Sequence, residues 1–235
     1  MNQDRYQGSS PPFSLLDPAT KTVKGFDIDM ALAIARQLGV KADLKTLESD
    51  QRLPFLKDRT VDIIVADFAK TDEREKEIDF SLGYFVAEER IYGKVGKFKD
   101  LPDLNGATIA INSGSSLEAE FKKRYKSTHL VSVPDKPDLI KQLNAGLVDG
   151  VAASMPILYE LQSKVQNKKQ FEYSPFPLDV KIYAVGIRKK EKGLKQAIDD
   201  ALLALEKSGE TAKIYERWFG PNGEVPIPRT FTITR

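Results

Sequence analysis

The sequence predicts an α/β fold in two units, and three observations carry that expectation. Strand-like and helix-like patterns alternate along the chain, as they do where parallel sheets are flanked by helices. The pattern crosses over twice, near Glu88 to Gly93 and near Asp179 to Tyr183, so a middle segment becomes a unit of its own. Loops of small, hydroxyl-bearing and charged residues follow three strand-like runs, after Val65, Ile111 and Ala153. Open α/β sheets bind ligands at that end of their strands.

Bulk composition agrees with two such units. The 235 residues suffice for two modest cores, and 41% hydrophobic with 30% charged residues is ordinary for a globular protein. Net charge is +2 with acids and bases interleaved, which gives none of the basic stripe that nucleic acid requires. No apolar run reaches the roughly 18 residues of a membrane span. Met1 to Arg5 reads as polar, without the pattern of a signal peptide. Cysteine is absent and His129 is the sole histidine, which removes a thiol nucleophile and the usual zinc sites, so neither metal nor cofactor is expected.

Each element has a local reason. Ser10-Pro11-Pro12-Phe13-Ser14 is a stiff non-helical loop, because each proline fixes φ and restrains its neighbour. Asp17-Pro18 reads as a turn. Phe26, Met30, Ile34 and Leu38 recur at helical spacing, with Gly39 closing the helix. Ala42, Leu44 and Thr46 alternate as a half-buried strand. A short helix near Leu53 to Leu56 precedes Val61 to Ala66, apolar and β-branched like a buried parallel strand. Thr71 is placed to cap the next helix, with Glu73 in its first turn.

In the middle segment, Ala107 to Ile111 reads as a strand, Asn112 to Ser116 as a small-residue turn, and Leu117 to Tyr125 as a helix. A helix over about Pro137 to Asn144 and a buried strand at Gly150 to Ala153 follow. Ile182 to Ile187 returns as a strand. Leu194, Ile198, Ala201, Leu202 and Leu205 share one helix face, and a last helix stops at Gly220-Pro221. The expected division is 1–90 with 183–235, and 91–182. Two strands joining two lobes make a hinge with a cleft.

The candidate binding residues lie on these loops. Arg74 follows a strand and sits early in a helix, where a guanidinium suits a carboxylate held by two parallel hydrogen bonds, an ordinary salt bridge to Glu73 or Glu77 being the alternative. Ser115 and Ser116 offer hydroxyls and amides to an anion, or simply cap the helix. Phe13 could present a flat apolar face or belong to the core. Arg52, at a helix start, suits a second carboxylate or is a solvated charge.

Four segments together resemble the polar amino-acid family of extracytoplasmic solute-binding proteins that serve ABC transporters. They are PPFSLLDPATKTVKGFDIDMALAIARQLG, RLPFLKDRTVDIIVADFAKTDEREKEIDFSLGYF, LPDLNGATIAINSGSSLEAEF and LLALEKSGETAKIYERWFG. The resemblance implies a type II periplasmic-binding-protein-like fold, α/β, in which two lobes joined by two hinge strands close over one ligand. It implies a periplasmic or extracellular monomer without catalytic activity, a small-molecule ligand and a permease partner. By position it gives Phe13 the packing aromatic, Arg74 the α-carboxylate, and Ser115 and Ser116 the second-lobe anion loop. Arg52 matches an arginine of the glutamate/aspartate-binding branch, so an acidic amino acid is the expected ligand.

Departures from the family pattern are specific. Asp67 and Ala69 stand where backbone and hydroxyl groups usually meet the ligand, and Ser154 stands where an aspartate pairs with the ligand's ammonium. Asp67 is then a candidate for the missing negative charge, with Arg74 its nearest partner in sequence. An alternative is an enzyme resembling the cyclohexadienyl dehydratases on this fold, with Asp67 as its acid; a sensory or degenerate domain is another. The family's first strand, ahead of the PPF loop, has no counterpart, and Phe231 to Thr234 is a strand-like run that could fill its place.

Overall fold

The computed structural model describes residues 10–17, 19–20 and 22–235. The N-terminal stretch, with the signal-peptide reading, and Pro18 of the expected turn lie outside them. The elements in order are β1 (Leu15–Leu16), β2 (Val23–Lys24), α1 (Phe26–Leu38), α2 (Arg52–Lys57), β3 (Ile63–Ile64), α3 (Asp72–Glu77) and β4 (Ile78–Lys94). Then come β5 (Thr108–Asn112), α4 (Ser116–Arg124), β6 (His129–Val133), α5 (Lys136–Asn144), β7 (Gly150–Ser154) and α6 (Met155–Gln162). The chain ends with β8 (Phe171–Tyr173), β9 (Asp179–Arg188), α7 (Lys192–Lys207) and α8 (Glu210–Phe219).

Two compact units emerge. A terminal unit comprises Pro11–Leu47, Arg52–Val86 and Ile182–Arg235; a middle unit gathers Ala87–Lys181 with Glu48–Gln51 and Ser10. The chain therefore changes unit inside β4 and inside β9, and also on both sides of Glu48–Gln51.

In the terminal unit, α1 packs on α7 and α8. The N-terminus of α1 is held by the proline loop: Phe26 N–H donates to the Pro12 carbonyl at 3.1 Å and Asp27 N–H to that of Phe13 at 3.0 Å. Gly25, at φ 147°, permits this, since a Cβ there would lie 2.1 Å from the Phe13 oxygen. The Phe13 ring is 0% exposed, with ring centroids of Phe85, Tyr183, Phe219 and Phe26 at 5.0, 5.5, 5.8 and 6.1 Å. A second cluster joins Leu56, Ile64, Phe68, Ile78, Phe80 and Ala184.

Three expectations for this unit need correction. Ala42 to Thr46 forms no strand; its alternation meets no ladder partner among the described residues, and Leu44 is exposed. The Val61 run forms only the short β3, paired antiparallel with β9 rather than parallel. Phe231 to Thr234 also forms no strand. Instead the tail packs irregularly, with Phe231 centroids 5.5 Å from Phe85 and 5.7 Å from Tyr215, and Ile233 buried.

The middle unit is a compact sheet. β5 runs parallel to both β6 and β7; β7 pairs antiparallel with β4, which pairs with β8 along its Tyr92–Lys94 stretch. Ile91, Phe98, Leu104, Ile109, Ile111, Leu117, Phe121 and Leu178 form its core. Gly114, at φ 72°, sits in the turn after β5, where a Cβ would lie 2.6 Å from the Asp50 nitrogen. Ser49 Oγ donates to Asn112 Oδ1 at 2.7 Å. These two contacts tie Glu48–Gln51 to the middle unit.

Candidate functional site

The terminal unit brings four charged residues onto adjoining elements. Thr71 caps α3 as expected, its Oγ1 accepting from Arg74 N–H at 3.3 Å. That places Arg74 in the helix's first turn, with its Nη1 donating to the Ala69 carbonyl at 2.8 Å. Its guanidinium carbon lies 4.2 Å from the Phe68 ring centroid. Such stacking is worth about 0.5–2 kcal/mol and fixes the plane of the guanidinium. Ala69, buried and bridged to Tyr183, thus acts through its carbonyl to orient Arg74.

Asp67 pairs with Arg52. Arg52 Nη2 lies 3.0 Å from Asp67 Oδ1, with both side chains only 6% exposed, and Arg52 Nη1 donates to the Ala66 carbonyl at 2.6 Å. The reason is electrostatic, because a carboxylate this deep requires a cation beside it. Asp67 holds a left-handed backbone, φ 38°, and its N–H donates to Asp27 Oδ2. Tyr84 hydroxyl donates to Asp27 Oδ1 at 2.9 Å. Burial, and then the Asp67 carboxylate, push the Asp27 carboxyl up to about 7, against the opposing pull of Tyr84, the Asp67 amide and Arg52. Burial likewise drives the Tyr84 hydroxyl upward.

Two sequence expectations change here. Phe13 is a buried ring enclosed by aromatics, the core reading of the two the sequence left open, and its carbonyl helps to seat α1. Arg52 is neither a solvated charge nor turned outward; Asp67 engages it. Asp27 is a member of this cluster that sequence reasoning missed. Its burial is what distinguishes it from the other acids of α1.

In the middle unit, Ser115 caps α4, its Oγ accepting from Glu118 N–H at 3.1 Å, and Ser116 is the helix's half-buried first residue. The turn already holds an anion of its own. Glu118 Oε2 accepts from Gly114 N–H at 2.9 Å, while Oε1 accepts from Ser132 Oγ at 2.6 Å and Lys122 Nζ at 2.8 Å. Burial works to raise the Glu118 carboxyl, yet these contacts hold it below its ordinary value. Ser154 ends β7 and precedes α6; it is 2% exposed and caps no helix amide. Its register partner on β4 is Glu89, also buried.

The chain matches the description of the bacterial extracellular solute-binding proteins, family 3, over residues 5–221. It belongs to that family. The L-cystine-binding protein TcyJ of Escherichia coli is 26% identical over 217 residues, covering 91% of this chain and 80% of that protein. The L-glutamate/L-aspartate-binding protein of Pseudomonas aeruginosa is 26% identical, covering 95% and 76%. Among solved structures, an ancestral arginine-binding protein bound to glutamine superposes with a TM-score of 0.83 at 31% identity, over 91% of this chain and 95% of that one. Family membership therefore fixes the two-lobed α/β class and solute binding, while relatives with differing ligands leave specificity to this chain's own residues. Among the described residues, no acidic or histidine group is arranged for a metal, and no helix is long and apolar enough to cross a membrane.

Proposed function

We propose that this family member binds one α-amino acid outside the cytoplasm, as a monomer, and delivers it to an ABC-transporter permease. Arg74 takes the α-carboxylate, and the observation that carries this reading is how Arg74 is held. The Phe68 ring and the Ala69 carbonyl fix its plane before any ligand arrives. A guanidinium ordered in advance loses little entropy when a carboxylate docks on its fork. Capture proceeds by hinge closure, which would reduce the radius of gyration in solution X-ray scattering when ligand is added.

An acidic side chain is disfavoured. That expectation rested on Arg52, and its guanidinium is committed to Asp67. The same pair weighs against Asp67 as the free acid of a dehydratase. Isothermal titration with the standard amino acids tests the reading. Arg74→Ala should weaken the best ligand about 100-fold or more, and Arg74→Lys should recover only part, given about 1.4 kcal/mol per tenfold. Unchanged affinity in Arg74→Ala would sink the assignment, and tight glutamate or aspartate binding would restore the acidic ligand.

A further inference from the structure

Three elements of the terminal unit meet at one buried carboxyl. Asp27 sits in the first turn of α1, its own N–H donating to the Phe13 carbonyl at 3.0 Å, and it is 0% exposed. One carboxyl oxygen accepts from the Tyr84 hydroxyl on β4 at 2.9 Å. The other accepts from the backbone N–H of Asp67, in the loop after β3. Asp67 has φ 38°, a left-handed value that residues other than glycine keep only where their surroundings hold it. Asp27 is part of what holds it.

That turn leads directly to the grip on the solute. Phe68 follows Asp67, and its ring centroid lies 4.2 Å from the Arg74 guanidinium carbon. Ala69 comes next, and its carbonyl accepts from Arg74 Nη1 at 2.8 Å. Beyond the turn the segment is latched to β9, with Ala184 N–H donating to the Phe68 carbonyl at 3.2 Å and Lys70 N–H to that of Ile182 at 2.9 Å. Its entry is set at Asp67, by Asp27 on the backbone and by Arg52 on the side chain. Both groups that orient Arg74 therefore follow immediately on the amide that Asp27 holds.

We propose that Asp27 is a positioning residue for solute binding: its carboxyl fixes the turn at Asp67, and that turn sets the Phe68 ring and the Ala69 carbonyl that orient Arg74. The proposal rests on the reading of Arg74 as the carboxylate grip, and it adds a residue that acts through Arg74 rather than on the solute.

A proton dependence follows. The groups facing the carboxyl are Tyr84 from β4, Asp67 from the loop after β3 and Arg52 from α2, with Tyr183 of β9 acting on Tyr84. Burial, and then Asp67, raise the Asp27 carboxyl to about 7. While Asp27 is neutral, Arg52 has only the Asp67 carboxylate to serve. Once Asp27 ionises, two buried carboxylates draw on one guanidinium and repel each other across the turn. The neutral form is the one that holds Arg74 in place, so affinity is full below about pH 6 and falls as pH rises through 7.

Isothermal titration of the full chain with the standard amino acids, followed for the tightest binder from about pH 5.5 to 8.5, tests this. Wild type should lose at least about fivefold in affinity across that range, the low end of ordinary coupling between sites. Asp27→Asn keeps an acceptor for the Asp67 N–H and carries no titrating charge. It should hold the low-pH affinity of wild type throughout. Asp27→Ala leaves that N–H without this acceptor and should bind about tenfold more weakly than Asp27→Asn at every pH. Comparing slopes between variants cancels any titration of the amino acid itself. Tyr84→Phe removes a hydrogen bond that favours the ionised form and should move the midpoint to higher pH. Flat wild-type affinity, or an Asp27→Ala variant that binds like Asp27→Asn, overturns the positioning role and leaves amino-acid binding standing. If the Asp27 variants do not fold, Tyr84→Phe decides, and an unmoved midpoint overturns the role. Binding of no amino acid at any pH sinks the Arg74 reading and this proposal with it.

Discussion

The charged groups of the two units stand in different condition. In the terminal unit, Arg52 is ion-paired with Asp67, and Asp27 accepts from Asp67 and Tyr84. In the middle unit, Lys181 is shared among acids and Ser154 Oγ is left over. On the proposed binding reading, the contrast separates polar residues that build the fold from those that meet the solute. Removing the first kind should lower stability, whereas removing the second should change affinity.

The largest effect should come from breaking the buried pair. Arg52→Met strands Asp67 in the interior and should cost about 3–5 kcal/mol, read by chemical denaturation. Adding Asp67→Asn should recover a good part of that loss, since no uncompensated charge remains. If Arg52 instead meets the ligand, Arg52→Met would weaken binding at nearly unchanged stability, and the contrast between the units would collapse.

Next in size is a pH effect from Asp27. Its carboxyl stands at about 7 in the folded chain against an ordinary value of 3.8, so the folded state binds the proton more tightly than the unfolded one. The associated stability is fully present below about pH 4 and is lost as pH rises through 7. That loss should reach about 2–4 kcal/mol. Asp27→Asn should flatten this part of the profile measured between pH 5 and 8, and identical slopes in both proteins would show that Asp27 is ionised throughout.

The smallest effect concerns the cap. Ser115→Ala removes the acceptor for Glu118 N–H and should cost about 1 kcal/mol. Should it also abolish binding, Ser115 would belong with Ser154 on the ligand's side of the contrast.

Much of the frame was legible in the sequence because it is written in local patterns. The four-residue recurrence from Phe26, the Thr71 cap and the alternating elements of the middle segment all became the elements they described. What depended on distant partners was not legible. The Ala42 run had the alternation of a strand but no neighbour to pair with, and Asp67 found its counter-charge 15 residues upstream rather than in the following helix. Glu89 gave no local sign between the charged Glu88 and Arg90, because only strand register sets it against Ser154. Phe13 illustrates the limit for single residues, since ring type does not reveal whether a face is covered.

The contact between Gly114 and Asp50 reaches further than its size suggests. Glu48 to Gln51 ride with the middle unit, yet the next residue, Arg52, is locked to Asp67 in the terminal one. A single peptide link, Gln51 to Arg52, therefore tethers the α4 turn to the buried ion pair. Enlarging Gly114 should therefore displace Asp50 and disturb the Glu48–Gln51 segment from which Arg52 follows.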